Sequence, residues 1–99
     1  MSHQFKIQPE AEKDLEAIWS YSVENWGVKK ALDYLDGLDN VFRMLTNNPN
    51  ISNLFQKFIP PVRIHHHNSH LIVYIVEEEK IVIIRVLHES MSLDKQLDS

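Results

Sequence analysis

Apolar positions along the chain change period several times, and each change marks an element. His3–Gln8 alternates, with Phe5 and Ile7 on one side, which predicts a short strand. Pro9 suits a first helical position, and Glu10 and Glu12 favour the positive end of a helix. Ala11, Leu15, Ile18, Trp19, Ser22 and Trp26 then recur at three- and four-residue steps, one stripe of an amphipathic helix in which Trp19 is a core candidate. Gly27 can take the conformation that ends helices. A second stripe follows at once: Ala31, Leu35, Leu38, Phe42 and Leu45, widened by Leu32 and Val41. It runs to about Asn47, where "NNPN" stops it. A one-glycine link between two such helices implies a helical hairpin, with Trp26 packed between the helix ends. Gly37 inside the second helix costs about 1 kcal/mol relative to alanine, and the expectation is that it permits close packing on the first helix.

Residues Pro49–Pro61 predict an irregular connection whose "ISNLF" and "KFI" pack down. Three strand-like runs follow: Val62–His66, His70–Glu77 and Lys80–His88. The last two are apolar on both faces, the mark of central strands covered on both sides. "EEEK" between them predicts a charged turn, and the tail after His88 a short turn or frayed end. The fold class is therefore α+β: an N-terminal strand, an α-helical hairpin and a three-stranded antiparallel meander (β-α-α-β-β-β), with the sheet packed on the two helices. The helices can cover one sheet face. The other, carrying Ile72, Tyr74 and Val76 or Leu71, Val73 and Ile75, is a candidate partner surface.

Composition narrows the function. Ninety-nine residues, 43% of them hydrophobic, predict one domain, residues 1–99, with one modest core. There is no cysteine, so neither disulfides nor thiolate metal sites are available. No secretory signal is apparent, and no apolar stretch approaches the ~20 residues that cross a membrane; the expectation is a cytoplasmic protein. Net charge is −4, a poor start for gripping a polyanion. The acids lie in Glu10–Asp39 and Glu77–Asp98, and none falls between Asn40 and Val76. The middle of the chain can thus form a local electropositive patch. Within it "RIHHHNSH" gathers four of six histidines. His65 and His67 share a strand face and His70 can return across a turn, which is the start of a metal site. No Asp, Glu or Cys stands beside them to complete one, so no metal is expected.

Taken in order, "ENWG" (Glu24–Gly27), Ala31, Tyr34, Leu38, Phe42, "LTNNP" (Leu45–Pro49), Arg63, His70, Tyr74 and "RVLHESM" (Arg85–Met91) resemble the ParE toxins of the RelE/ParE superfamily of type II toxin–antitoxin systems. The likeness covers nearly the whole chain; each piece is weak alone, and the ordered set with its spacings is fairly specific. It departs at Ser92, where the family motif has Asp, which removes a charge that could cap the tail or touch a partner. Aligned to the family pattern, Arg63 leads its strand and His70 opens the next. Asn68 falls at a glycine position, where Asn is the next best residue for a left-handed turn.

The resemblance implies a bacterial growth-inhibiting toxin, of a kind associated with plasmid stabilisation, neutralised by a cognate antitoxin that folds on binding. ParE-like members act on DNA gyrase and stall replication and cell division. RelE-like members cleave mRNA on the ribosome, and the shared fold does not choose between them. An RNA-cleaving member needs a base, an acid and cations around the phosphate; here the candidates are Arg63, Arg85, His88 and Lys57, an incomplete set. A gyrase inhibitor needs only a complementary surface, and Arg63, His70, Arg85, His88, Met91 and Ser92 are its target-binding candidates. The structural alternatives are that Arg85 pairs with Asp14 or Glu16, that His88 is a hydrogen-bonded strand end, and that Met91 covers the core. Leu71, Ile72, Val73, Tyr74 and Ile75 are the antitoxin-binding candidates. A third reading is an inactive homologue that only binds its antitoxin. No cofactor, membrane contact or stable independent nucleic-acid binding is implied.

Overall fold

The computed structural model describes residues 5–78 and 80–97. The expected strand start at His3 and Gln4, and Glu79 of the charged turn, lie outside the described residues. The order is β1 (Phe5–Ile7), α1 (Pro9–Trp26), α2 (Val28–Asn47), β2 (Leu54–Phe55), β3 (Val62–His67), β4 (His70–Glu77), β5 (Lys80–His88) and α3 (Leu93–Leu97). The strands form one sheet, β1-β5-β4-β3-β2, with β1 parallel to β5 and the other pairs antiparallel. The expected β-α-α-β-β-β plan is present, with two additions. The irregular connection lends two residues to the sheet as β2, and the tail winds into α3.

Gly27 alone joins the helices. Its N–H closes α1 on Val23 O at 3.0 Å and its carbonyl accepts Ala31 N–H at 3.1 Å. Its φ of 91° with ψ of 167° is a region open to essentially only glycine. Between helices and sheet, Ala11, Ile18, Leu38, Phe42 and Leu45 pack on Ile72, Tyr74, Ile81, Ile83 and Val86. Phe5 meets Phe42 edge to face at 5.5 Å between centroids. Three helix expectations are corrected. Trp19 is only half-buried and outside both apolar clusters, and Leu32 is 51% exposed, because the stripe facing the sheet is narrower than the apolar run. Gly37 does not face α1: a Cβ there would meet His67 Nε2 of β3 at 3.9 Å, an ordinary contact.

The second sheet face is not open. Phe58 from the β2–β3 connection and Leu93 and Leu97 of α3 pack over Val62, Val73 and Leu87. Lys57 fastens this cover, paired to Asp94 at 2.7 Å and lying 5.1 Å from the Phe58 ring centroid. Among the proposed antitoxin contacts, Ile72, Val73 and Tyr74 are 0% exposed, so their side chains are core; only Leu71 and Ile75 keep surface. Strand alternation sends Ile72 and Tyr74 under the helices, and the tail closes over Val73. No helix among the described residues is long and apolar enough to cross a membrane.

Candidate functional site

The sheet register sorts the histidines. Asn68, at φ 53°, and Ser69 make the two-residue turn between His67 and His70, as the turn chemistry predicts. His65 and His67 fall on the helix-facing side with Arg63, and His66 falls on the other. His65 Nδ1 bonds Ser52 Oγ at 2.9 Å, and His66 Nε2 reaches Glu89 at 2.9 Å. His67, His70 and His88 occupy paired positions in one row across β3, β4 and β5. Among the described residues no group of three or more His, Asp or Glu is arranged to hold a metal.

His70 and His88 instead form part of a groove. β1 pairs with β5 only as far as Ile83, so the outer edge of β5 beyond it lies open beside the C-terminal half of α1. The groove there measures about 330 Å³; Ile18, Tyr21 and Trp26 wall it, Val86, His70 and His88 form its floor, and Met91 sits at its rim. Tyr21, Trp26 and Met91 are 60%, 50% and 47% exposed, a concentration of large apolar surface at one end of the molecule. Rings run through it in sequence: Tyr21–Trp26 at 5.9 Å, Trp26–Tyr34 at 6.3 Å, Tyr34–His70 at 5.6 Å and His70–His88 at 5.6 Å. Trp26 thus bridges side chains of the two helices, as expected, but from the surface.

Burial first, then the neighbouring His88 and His67, pushes the His70 pKa below its ordinary 6.5, while Glu89 pulls weakly the other way. Burial likewise raises the Tyr34 phenol above 10.0. The two burial-shifted groups share a hydrogen bond, Tyr34 Oη lying 2.6 Å from His70 Nδ1, with the imidazole tautomer setting which of them donates. His65 is also pushed down, by burial and then by His67 and His66. For both histidines the unfolded chain takes up a proton near pH 6.5 and the folded chain resists it. Their contribution to stability is full above pH 6.5 and is lost as pH falls through the depressed folded values. The melting temperature is therefore expected to fall between about pH 7 and about pH 5.5, and His70→Gln to flatten that slope. Differential scanning fluorimetry across pH checks this; parallel profiles for the two proteins would refute it.

The remaining candidates are bound into the scaffold. Ile84 is an extra residue in the β4–β5 register, since Val73 pairs with Arg85 and Tyr74 with Ile83. This bulge re-aims Arg85 along the sheet edge. Asp14 of α1 receives Arg85 Nε at 2.8 Å and Nη2 at 3.0 Å, and also the Val86 N–H at 2.9 Å. The carboxylate thus closes the edge where β1 ends, and its hydrogen bond raises the Arg85 pKa above its ordinary value. Arg85 Nη1 also reaches Gln96 Oε1 of α3 at 3.5 Å. His88 is the hydrogen-bonded strand end: its Nδ1 accepts the Ser90 N–H at 3.1 Å and lies 2.7 Å from Ser90 Oγ. Ser92 caps α3, its Oγ 3.4 Å from Lys95 N, so the departure from Asp substitutes one good capping residue for another. Sequence reasoning missed Tyr21 and Tyr34 as site residues. The signal for Tyr34 was a hydroxyl in an apolar helical stripe.

The candidate ribonuclease residues do not converge. Arg85 is held by Asp14 and Lys57 by Asp94. Arg63 pairs opposite Tyr74 while His88 pairs opposite His70, which places them about 13 Å apart along β4.

Together the sheet, the helical hairpin and the ring-lined groove define a small α+β protein with large apolar side chains exposed at one end. The sequence matches the family described as "ParE toxin of type II toxin-antitoxin system, parDE" over residues 5–93. It is 33% identical over 98 residues to "Toxin ParE1" of Mycobacterium tuberculosis (strain H37Rv), covering 98% of this chain and all of that protein. It is 33% identical over 88 residues to "Toxin ParE1" of Caulobacter vibrioides, covering 89% and 91%. Its fold is similar to a chain of the "Chromosomal ParDE TA system from P. aeruginosa", with a TM-score of 0.73 at 22% identity over 88% of this chain and 96% of that one. The chain belongs to the ParE toxin family of type II toxin–antitoxin systems.

Proposed function

We propose that this toxin arrests growth in the cytoplasm by inhibiting DNA gyrase, and that a cognate antitoxin, ordering as it binds, neutralises it. The observation that carries the choice of target is the state of the cations. Arg85 and Lys57 are held by carboxylates, and Arg63 stands far from His88, so the groups that would cleave RNA are not gathered around one phosphate. Inhibition by contact asks only for surface, and the groove of Tyr21, Trp26, His70, His88 and Met91 offers it. Expressed alone the chain is expected to stop growth, and co-expression of the antitoxin encoded beside it to restore growth. Purified protein is expected to inhibit gyrase supercoiling or trap gyrase cleavage complexes while leaving ribosome-bound mRNA intact. Cleaved mRNA with unaffected gyrase would replace this reading with the ribonuclease one, and absence of any arrest would leave an inert antitoxin binder.

A further inference from the structure

At the end of the molecule away from the ring-lined groove, the sheet runs on past the helices. α2 stops at Asn47, and the Tyr74 hydroxyl holds the Pro49 carbonyl just beyond it at 2.9 Å. Leu54, Arg63 and Tyr74 are register partners and share the helix-facing side, and Val76, two residues on from Tyr74, points the same way. Leu54 and Val76 are 44% and 39% exposed. With Pro60, Pro61 and Ile75 they surround Arg63 in a groove of about 330 Å³. The neighbouring Ile51, Phe55 and Ile59 add exposed apolar surface on the same loop, Ile59 at 97%.

Arg63 is the feature these walls leave unmatched. Arg43 pairs with Asp39 and Arg85 with Asp14, but no carboxylate among the described residues stands within ion-pairing distance of Arg63. Among the described residues its guanidinium makes one hydrogen bond, from Nη1 to the Ser52 carbonyl. A guanidinium has five N–H donors in a fork that matches a carboxylate. Half-buried between aliphatic walls, it attracts such a group more strongly than it would in open water. The stretch Asn40–Val76 that supplies the lining contains no acidic residue to repel one. β2, two residues long, is the outer strand on this side, so an extended chain has room to lie along it.

We propose that this groove seats an extended aliphatic segment of a protein partner, whose carboxylate pairs with Arg63 while its apolar side chains cover Leu54 and Val76. The proposal rests on the functional reading above only in taking the natural occupant to be a protein, and its test uses neither gyrase nor antitoxin. The probe is a terminally blocked heptapeptide of leucine and valine around one central glutamate, with a glutamine twin, titrated into the ¹⁵N-labelled full-length chain by NMR. The glutamate peptide is expected to shift the amides of Leu54, Arg63 and Val76 and the Arg63 Nε–H, and to bind about tenfold more tightly than the twin. Arg63→Gln is expected to erase that difference while keeping a dispersed spectrum, and Tyr21→Ala, in the other groove, to preserve it. Equal binding of the two peptides, shifts centred on Trp26 and His88, or no shifts at all would each overturn the proposal. Growth arrest by the chain is unaffected by any of these results, so the two readings fail separately.

Discussion

Asp14→Ala is expected to lower the unfolding free energy by about 3 kcal/mol and the melting temperature by roughly 12 to 24 °C. One carboxylate does three jobs. It takes both forks of the Arg85 guanidinium and the backbone N–H of Val86, and these tie α1 to the edge that β5 exposes once β1 has ended. The Arg85 and Asp14 side chains keep only 18% and 14% of their surface, so water cannot freely replace the lost partner. Removing the acid strands a charge and an edge N–H together, which is why the expected loss exceeds that of an exposed pair. Asp14→Asn retains one acceptor for Val86 and is expected to lose about half as much. The double variant Asp14→Leu with Arg85→Met removes both charges and is expected to recover much of the stability. Urea unfolding followed by circular dichroism measures all three. A loss below about 1 kcal/mol for Asp14→Ala would place the pair among weak surface ion pairs and return Arg85 to the target-contact candidates.

That lock was half legible in the sequence. A cation inside an apolar strand requires a partner, and helix one offered Asp14 or Glu16 at the right height. The choice of Asp14, and the backbone N–H it also satisfies, depends on the bulge at Ile84, which no periodicity reveals. The helices, β1 and the meander were legible because each buries one regular face, and a regular face leaves a period. β2 and α3 leave none: β2 is two residues long, and α3 makes one turn whose Leu93 and Leu97 reach the sheet only because the chain has already folded back. Missing α3 produced the chief error in the reading of the surface. The same apolar alternation that rightly predicted two buried faces on β4 was assigned an absent partner, when the chain's own tail and Phe58 supply the cover. The ring-lined groove was visible only in pieces. His70, His88 and Met91 were picked out by resemblance, while Tyr21 and Tyr34 join them through helix packing that the sequence pattern does not specify.

Tyr74 offers the sharpest test of whether β4 is core or contact surface. Tyr74→Ala is expected to cost about 4 kcal/mol, in the range for emptying an aromatic site in a packed interior. The side chain is 0% exposed and packs with Phe42, Leu45 and Ile72 in the cluster beneath the helices. Tyr74→Phe keeps the ring and removes only the bond to the Pro49 carbonyl, and is expected to cost about 1 to 2 kcal/mol. The two variants separate volume from hydrogen bond, and their difference measures what filling the cavity contributes. They also bear on function. If β4 contacts a partner through Tyr74, deleting the hydroxyl should weaken that partner's binding while the fold survives. If Tyr74 is core, Tyr74→Phe should bind antitoxin as the unaltered chain does, once both are compared well below their melting temperatures. Calorimetric titration with the antitoxin gives the binding constants, and chemical unfolding gives the stabilities. Unchanged affinity with reduced stability is the expected pair of results. Reduced affinity with unchanged stability would reverse the assignment and restore the strand to the interface.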